Sequence, residues 1–324
     1  MMNENSFTGI AYHYIREKND LFPRIIGNKI EDFEKQIVYL KNKFNIIEPN
    51  EVIDFYQNNK KFPNKKNILI TFDDGLAEHN IASKILDENG IKGLFFIPSC
   101  IVHEKEPANP MLIHYLIAKY GIKDFLFFVR EFSNENDKKV SDFTRRMENE
   151  KLSSWEKISE IKKFFKYKIN IYVSRKLLLD IFNNTFLKEY PNAMEIIHLT
   201  DKQIIDMVKR KHVFGTHSHS HISLGVGKLS NDEFDKEMIQ PKNILEKIFN
   251  IKINSFSFPY GEKQDCITSY ELLKKTNQYI LGYTIQSKLN SLKSSPLLLG
   301  RYMPTGDETI EKLEKNLRKI FNQN

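Results

Sequence analysis

Three short segments of the chain carry residues whose types and spacing can do chemistry. The first is Thr71-Phe72-Asp73-Asp74-Gly75, which follows the apolar run Asn67–Phe72. Two neighbouring carboxylates at the end of a buried strand repel unless a cation lies between them. A bound metal would hold one, and the other would serve as base toward a metal-bound water. The competing reading is an Asp-Asp-Gly turn that caps a helix, with Gly75 permitting the turn. The second segment runs from Gly215 to Leu224 and holds His217, His219 and His221, three of the nine histidines. His217 and His221 lie four residues apart, so one helical turn would put both imidazoles on one face, as a divalent metal requires. A solvated His-rich loop and neutral core histidines bonded to backbone are the alternatives. The third, Ser255–Gly261, ends in Pro259-Tyr260-Gly261 and by itself is only a turn signal. Such a turn can wall a substrate groove and offer a backbone N–H to a developing oxyanion.

These segments need elements to position them, and the hydrophobic pattern supplies candidates. Strands are expected at Gly9–Ile15, Asn67–Phe72, Gly93–Pro98, His212–Gly215, Asn254–Phe258, Tyr279–Thr284 and Leu297–Tyr302. Helices are expected at Ile30–Phe44, Pro49–Tyr56, Leu76–Asn89, Asp201–Lys211, Asn231–Phe249, Thr268–Thr276 and Glu308–Ile320. Alternating strands and helices with short connections argue for parallel pairing through right-handed crossovers. Each motif then sits just after a strand, where parallel α/β folds gather their catalytic groups. From Ile101 to Leu199 no apolar strand run appears, and helices are expected at His114–Tyr120, Lys123–Phe132, Asp142–Met147, Trp155–Phe165 and Val173–Phe182. The organisation read from this is α/β, a barrel or strongly curled sheet in two parts, 1–100 and 200–324, around a helical insertion at 101–199.

Composition bounds the function. The 324 residues are 40% hydrophobic and 28% charged, an ordinary globular balance. The net charge of +7 comes mostly from scattered lysines, not from an Arg-rich stripe of the kind nucleic acid selects. No nucleic-acid partner is expected. Cys100 and Cys266 form no metal-type pair and read as buried thiols. The polar N-terminus carries no secretory pattern, so a cytoplasmic location is the expectation. The apolar stretch Met111–Tyr120 with Phe125–Val129 offers either a peripheral contact with the inner face of a membrane, a cap over substrate, or a buried helical subdomain. The single Trp155 is expected to pack among helices, stacking on a sugar being the alternative.

Taken together and in order, the three segments resemble the polysaccharide deacetylase family (NodB homology, carbohydrate esterase 4-like). Its first motif, Thr-Phe-Asp-Asp-Gly, stands unbroken at 71–75. Its second, His-Ser/Thr-x-x-His-x-x-Leu, is matched from His217 to Leu224, and its third ends in Pro-Tyr-Gly, as at 259–261. The resemblance covers roughly 9–98 and 199–307. It implies a distorted (β/α) barrel of about seven strands and a metal-dependent hydrolase that removes N-acetyl groups from an aminosugar in a glycan or glycan precursor. Deformylation, O-acetyl ester cleavage and an inactive glycan-binding module are the alternatives. By position, Asp73 would be the general base and Asp74, His217 and His221 the ligands of one divalent metal. Zinc is the expected ion, and the same ligands admit cobalt, nickel or iron. The metal and the N–H of Tyr260, beside Pro259, would meet the oxyanion. The expected substrate is an acetylated carbohydrate, nucleotide-linked, lipid-linked or nascent.

The chain departs from the family's usual pattern in two places. Many members begin the third motif with an Arg that steadies the catalytic Asp, and Ser257 stands there instead. A late Leu-x-x-His normally supplies the acid, but no histidine follows His221. A second branch, resembling the exported poly-N-acetylglucosamine deacetylases, takes its acid from an early Tyr-His strand. Tyr12-His13 fits that branch, which implies His13 as the general acid. Arg301, on the last expected strand, is the candidate replacement for the missing Arg, orienting Asp73 or a substrate anion.

Overall fold

The structure, a computed structural model, describes residues 5–17, 22, 24–63, 66–134, 137–225 and 229–322. Its strands, in chain order, are β1 (Ser6–Tyr12), β2 (Asn45–Ile46), β3 (Asn67–Phe72), β4 (Leu94–Ile97), β5 (Val213–Thr216), β6 (Ser255–Ser257), β7 (Leu281–Tyr283), β8 (Asn290–Ser291) and β9 (Arg301–Tyr302). They form one sheet along the path β7-β6-β5-β4-β3-β1-β8, with β2 on β3 and β9 on β1. Every pairing is parallel except β1 with β8. The sheet nearly closes on itself. Leu299 bridges Tyr283 of β7, and two residues later Arg301 and Tyr302 pair with Gly9 and Ile10 of β1. The result is the distorted barrel that the family resemblance implies, and one of the two forms, barrel or strongly curled sheet, that the alternating pattern allows.

Strand geometry divides the core in two. Successive side chains face opposite sides of the sheet, so Ile68, Ile70 and Phe72 lie under the surrounding helices with Phe33, Ile37 and Leu40. Leu69 instead joins Phe7, Leu94, Phe96, Leu281, Tyr283 and Leu299 inside the barrel, with Phe55 and Phe62 packed on Phe7. Above this apolar plug lies the fully buried side chain of Arg301, its guanidinium 5.4 Å from the Phe96 ring and 5.7 Å from the Tyr283 ring. The arginine passes over Gly9. A Cβ at that position would sit 2.6 Å from Arg301 Cγ, closer than real atoms approach.

Between β4 and β5 the described residues form helices only, including Asn109–Phe132, Lys138–Asn149, Ser154–Lys163, a π-helical turn at Phe164–Lys168, and Ile171–Asn184. They pack around their own apolar cluster, which Phe22 and Leu76 join. Met111–Ile113, Tyr115–Ala118, Phe125, Leu126 and Val129 are buried in it. No helix among the described residues is long and apolar enough to cross a membrane.

Several local expectations change in the structure. The first strand is Ser6–Tyr12 rather than Gly9–Ile15, because β1 pairs in continuous register with β3 from Phe7 to Tyr12 and leaves the sheet there. That exit puts His13 just past the strand end. The two helices expected at 114–120 and 123–132 are one element kinked at Gly121 (φ 83°). Asn231–Phe249 is interrupted by a π-helical turn, Asp235–Ile239, before Pro241 restarts the helix. Only Arg301–Tyr302 of the expected strand Leu297–Tyr302 pairs continuously. Trp155 does not pack among helices: it is 67% exposed.

Crowding at β1 gives the first testable expectation. Gly9→Ala should destabilise the protein by about 1–3 kcal/mol through overpacking against Arg301, read as a shifted denaturant midpoint at unchanged slope. A midpoint equal to that of the parent would show that Arg301 is not held against β1.

Candidate metal and active site

The Asp73-Asp74-Gly75 turn follows β3 at the rim of the barrel, and the histidine segment follows β5, two strands away. Their ligand atoms converge. Asp74, His217 and His221 each offer one atom such that all lie within 4.8 Å of one another. Asp74 Oδ1 is 3.4 Å from His217 Nε2 and 3.1 Å from His221 Nε2. The two imidazoles meet edge to face, with centroids 4.5 Å apart. Asp74 Oδ1 is buried and accepts no hydrogen bond, a costly state for a carboxylate oxygen unless a cation takes it up. His217 Nδ1 lies 2.8 Å from the Ser257 carbonyl. A proton on Nδ1 would satisfy that contact and leave Nε2 a free lone pair, the arrangement usual for metal-binding histidines. One carboxylate and two imidazoles therefore fit a divalent ion such as zinc.

The spacing of His217 and His221 works differently from the helical expectation. The segment is a loop, and its turn comes from left-handed backbone at Ser218 (φ 60°) and His221 (φ 59°). Ser218 Oγ accepts the His221 N–H at 3.0 Å. The loop is pinned from outside by Glu237, whose carboxylate accepts from the N–H groups of His219 and Ser220 and from Ser220 Oγ at 3.2, 3.0 and 2.8 Å. Ser99 N–H and Cys100 N–H donate to the carbonyls of Ser218 and His219, tying the loop to the end of β4. His219 faces away from the cluster, its Nδ1 2.8 Å from Ser99 Oγ. Asp74 (φ 77°) and Tyr260 (φ 62°) also hold left-handed backbone, so all three motifs carry strain at the same place.

Asp73 points toward Arg301. The guanidinium donates from Nη1 to Asp73 Oδ1 at 2.8 Å and from Nη2 to Oδ2 at 2.7 Å, a bidentate pair sealed from solvent. Nη1 also donates to Thr71 Oγ1, Nη2 to Ser257 Oγ, and Nε to the Thr284 carbonyl. Ser257 Oγ in turn donates to Asp73 Oδ2 at 3.2 Å. Burial alone would raise the Asp73 pKa, but Arg301, and after it His217, hold the carboxyl well below the usual range. Asp74 is likewise held low against its burial by His221 and His217. Burial and the charge of His217 push His221 down, favouring the neutral ligand form. His217 moves up, because Asp73 and Asp74 outweigh its burial.

A cleft of about 280 Å³ opens above these groups, lined by His13, Asp73, Asp74, His217, His221, Phe258 and Tyr260. The helical segment closes its other side with Pro110, Met111, Ile113, His114, Lys162 and Lys166. Arg301 and Pro259, placed by the sequence near the substrate groove, do not line this cleft. Arg301 is completely buried below Asp73 and cannot reach a substrate anion, and Pro259 is buried between Phe258 and Tyr260. Tyr260 packs edge-on against His221 at 4.8 Å, with the Lys166 ammonium 3.7 Å from its ring centroid. His79 lies beneath, its Nε2 3.0 Å from the His13 carbonyl, and so reaches His13 through backbone only.

Sequence reasoning missed Glu237, His114, Lys162 and Lys166. Nothing in their local pattern marks them, since each acquires its place through packing between distant segments. Lys166 and Tyr167 bind Asp265 at 2.9 and 3.1 Å, and Asp265 also accepts from Ser223 Oγ. This carboxylate thus joins the helical segment, the histidine loop and the helix Lys263–Thr276.

The buried pair makes a quantitative test possible. Arg301→Ala should cost about 3–5 kcal/mol of stability, because it strands a buried carboxylate, and most of that loss should vanish in an Asp73→Asn background. The parent's contribution from this pair should be present above the ordinary carboxylate pKa and fade as pH falls, since the folded-state pKa of Asp73 is depressed. Additive losses in the double variant would refute the coupling.

The comparisons with known proteins agree with this fold. Among solved structures, the Streptococcus pyogenes deacetylase PplD, in complex with acetate, superposes with a TM-score of 0.59 at 16% identity, over 97% of this chain and 99% of that one. IcaB from Ammonifex degensii gives 0.56 at 16% identity, over 97% of each chain. The de-N-acetylase from Aggregatibacter actinomycetemcomitans gives 0.55 at 13%, over 96% of this chain and 99% of that one. At such identities the likeness establishes the shared fold. No curated protein sequence gives a significant match. The sequence profile of polysaccharide deacetylases matches residues 60–279, more than half the chain and all three motifs. This chain belongs to the polysaccharide deacetylase family.

Proposed function

We propose that this protein is a metal-dependent N-deacetylase acting on an N-acetylated aminosugar in a glycan or glycan precursor. The observation that carries the proposal is the convergence of Asp74, His217 and His221 within 4.8 Å on a cleft that Asp73 also lines. Asp74, His217 and His221 would hold the metal, with zinc the best match to a carboxylate and two imidazoles. Such an ion supplies Lewis acidity at the acetyl carbonyl and lowers the pKa of a water.

The remaining work falls to this chain's own groups. Asp73, kept ionised by Arg301 and aimed by Arg301 and Ser257, accepts a proton from the attacking water. The backbone N–H of Tyr260 is the candidate donor to the carbonyl oxygen as it gains charge. An amide nitrogen leaves only when protonated, and His13 on the cleft wall is the group assigned to deliver that proton. Phe258, Met111 and Ile113 line the cleft with apolar surface, which limits water around the reacting carbonyl.

Two of the structural neighbours support the acyl group: one is described with acetate and the other as a de-N-acetylase. The decisive measurement is elemental analysis of protein purified without chelators, beside acetate release from N-acetylglucosamine oligomers. About one divalent ion per chain is expected, and His217→Ala should lose it. Asp73→Asn should keep the metal while kcat falls by about 10²–10⁴-fold. His13→Ala should lower kcat with metal content unchanged. Protein that binds no ion when offered zinc or cobalt would overturn the hydrolase and favour a glycan-binding module. Loss of formyl or ester-linked acetyl groups in place of N-acetyl would change the acyl assignment only.

A further inference from the structure

Beside the catalytic cleft lies a second cavity of about 400 Å³, and both are lined by His114 and Lys162. Its walls come from three separate places: Arg24, Ile25 and Ile26 near the N-terminus, Ile117 and Ala118 on the long helix, and Ser154, Trp155 and Ile158 on the helix Ser154–Lys163. Tyr14 stands at the junction, its hydroxyl 3.0 Å from His114 Nδ1.

Two properties of this cavity bear on what it could bind. The first is apolar exposure: Trp155 is 67% and Ile26 59% exposed, and both line the same hollow. Large apolar side chains gathered at one exposed hollow mark a surface that expects a partner. The second is charge. Lys162 has no hydrogen bond or ion pair among the described residues. Arg24 donates to the carbonyls of Ile117 and Ala118, at 3.4 and 3.1 Å, and pairs with no carboxylate among the described residues. No Asp or Glu lines the cavity among the described residues. Two exposed cations with no acidic residue among the described lining, beside an aromatic face, favour an anion that carries apolar or ring surface.

We propose that this cavity is a subsite for a phosphoryl or diphosphoryl group joined to the sugar whose acetamide lies at Asp73, and for the apolar or aromatic group beyond that phosphate. The phosphate would take Lys162 and Arg24, and its aglycone the faces of Trp155, Ile26 and Ile158. The proposal rests on the deacetylase reading and deepens it: a phosphate-linked N-acetylaminosugar is preferred over a neutral glycan.

Binding of deacetylated products tests this without turnover. Glucosamine, glucosamine 1-phosphate, uridine diphosphate glucosamine and farnesyl diphosphate-linked glucosamine would be titrated calorimetrically into the zinc-loaded full chain. Glucosamine 1-phosphate should bind about ten-fold tighter than glucosamine, the worth of a charge-assisted contact. Lys162→Gln and Arg24→Gln should each remove most of that gain, while Lys162→Arg retains it. Trp155→Ala should weaken the uridine or farnesyl conjugate and leave glucosamine 1-phosphate unchanged, and the tighter of the two conjugates identifies the carrier. Equal affinity for glucosamine and its phosphate, or unchanged affinity in both glutamine variants, would overturn the subsite. Acetate release from neutral oligomers alongside that result would leave the deacetylase standing. Phosphate-dependent binding without acetate release from any sugar would do the reverse.

Discussion

The buried pair between Arg301 and Asp73 is the constraint on which the rest of this structure depends. A carboxylate with almost no exposure is tolerable only beside a cation, and that cation must itself be satisfied. Arg301 meets both demands by spending its guanidinium on Asp73, Thr71, Ser257 and a backbone carbonyl. The geometry exists only because the sheet curls round until the segment before β9 touches β7 and β9 itself touches β1. Barrel closure and the ionisation of Asp73 are thus one fact seen at two scales.

The metal-type cluster depends on a second kind of constraint, the holding of backbone in left-handed conformations. Asp74, Ser218, His221 and Tyr260 each occupy a region that costs a non-glycine residue about 1–3 kcal/mol. Surrounding contacts must offset this. Glu237 grips the histidine loop through two N–H groups and a hydroxyl, and Ser99 and Cys100 hold it from the β4 side. Ser223, at the loop's far end, bonds to Asp265. Ligand placement is therefore a property of the packed loop and of three neighbouring elements.

The helical segment between β4 and β5 has a core of its own, yet it does not stand apart from the site. Asp265 ties Lys166 and Tyr167 to the same histidine loop, and Lys166 covers the ring of Tyr260. Pro110, Met111, Ile113, His114 and Lys162 turn what would be an open barrel mouth into a walled cleft. The segment shapes access to the cleft, while the barrel carries the reactive groups.

Much of this was legible in the chain alone, because strands and motifs are local. The run Asn67–Phe72 reads as a doubly buried strand, and Asp73-Asp74-Gly75 as a rim turn, from adjacent residues only. The alternation of strand and helix likewise predicts a parallel sheet, either curled strongly or closed into a barrel. What sequence could not decide was anything set by contacts between distant segments. The His217–His221 spacing suits a helical turn as well as a loop, and only the grip of Glu237 and Ser218 selects the loop. Arg301 was readable as a candidate, but its aim at Asp73 rather than at substrate follows from burial inside a closed barrel. The placement of Trp155 in solvent and of Lys162 between two cavities follows from how the helices pack, and periodicity carries no information about which exposed face overlooks a cleft.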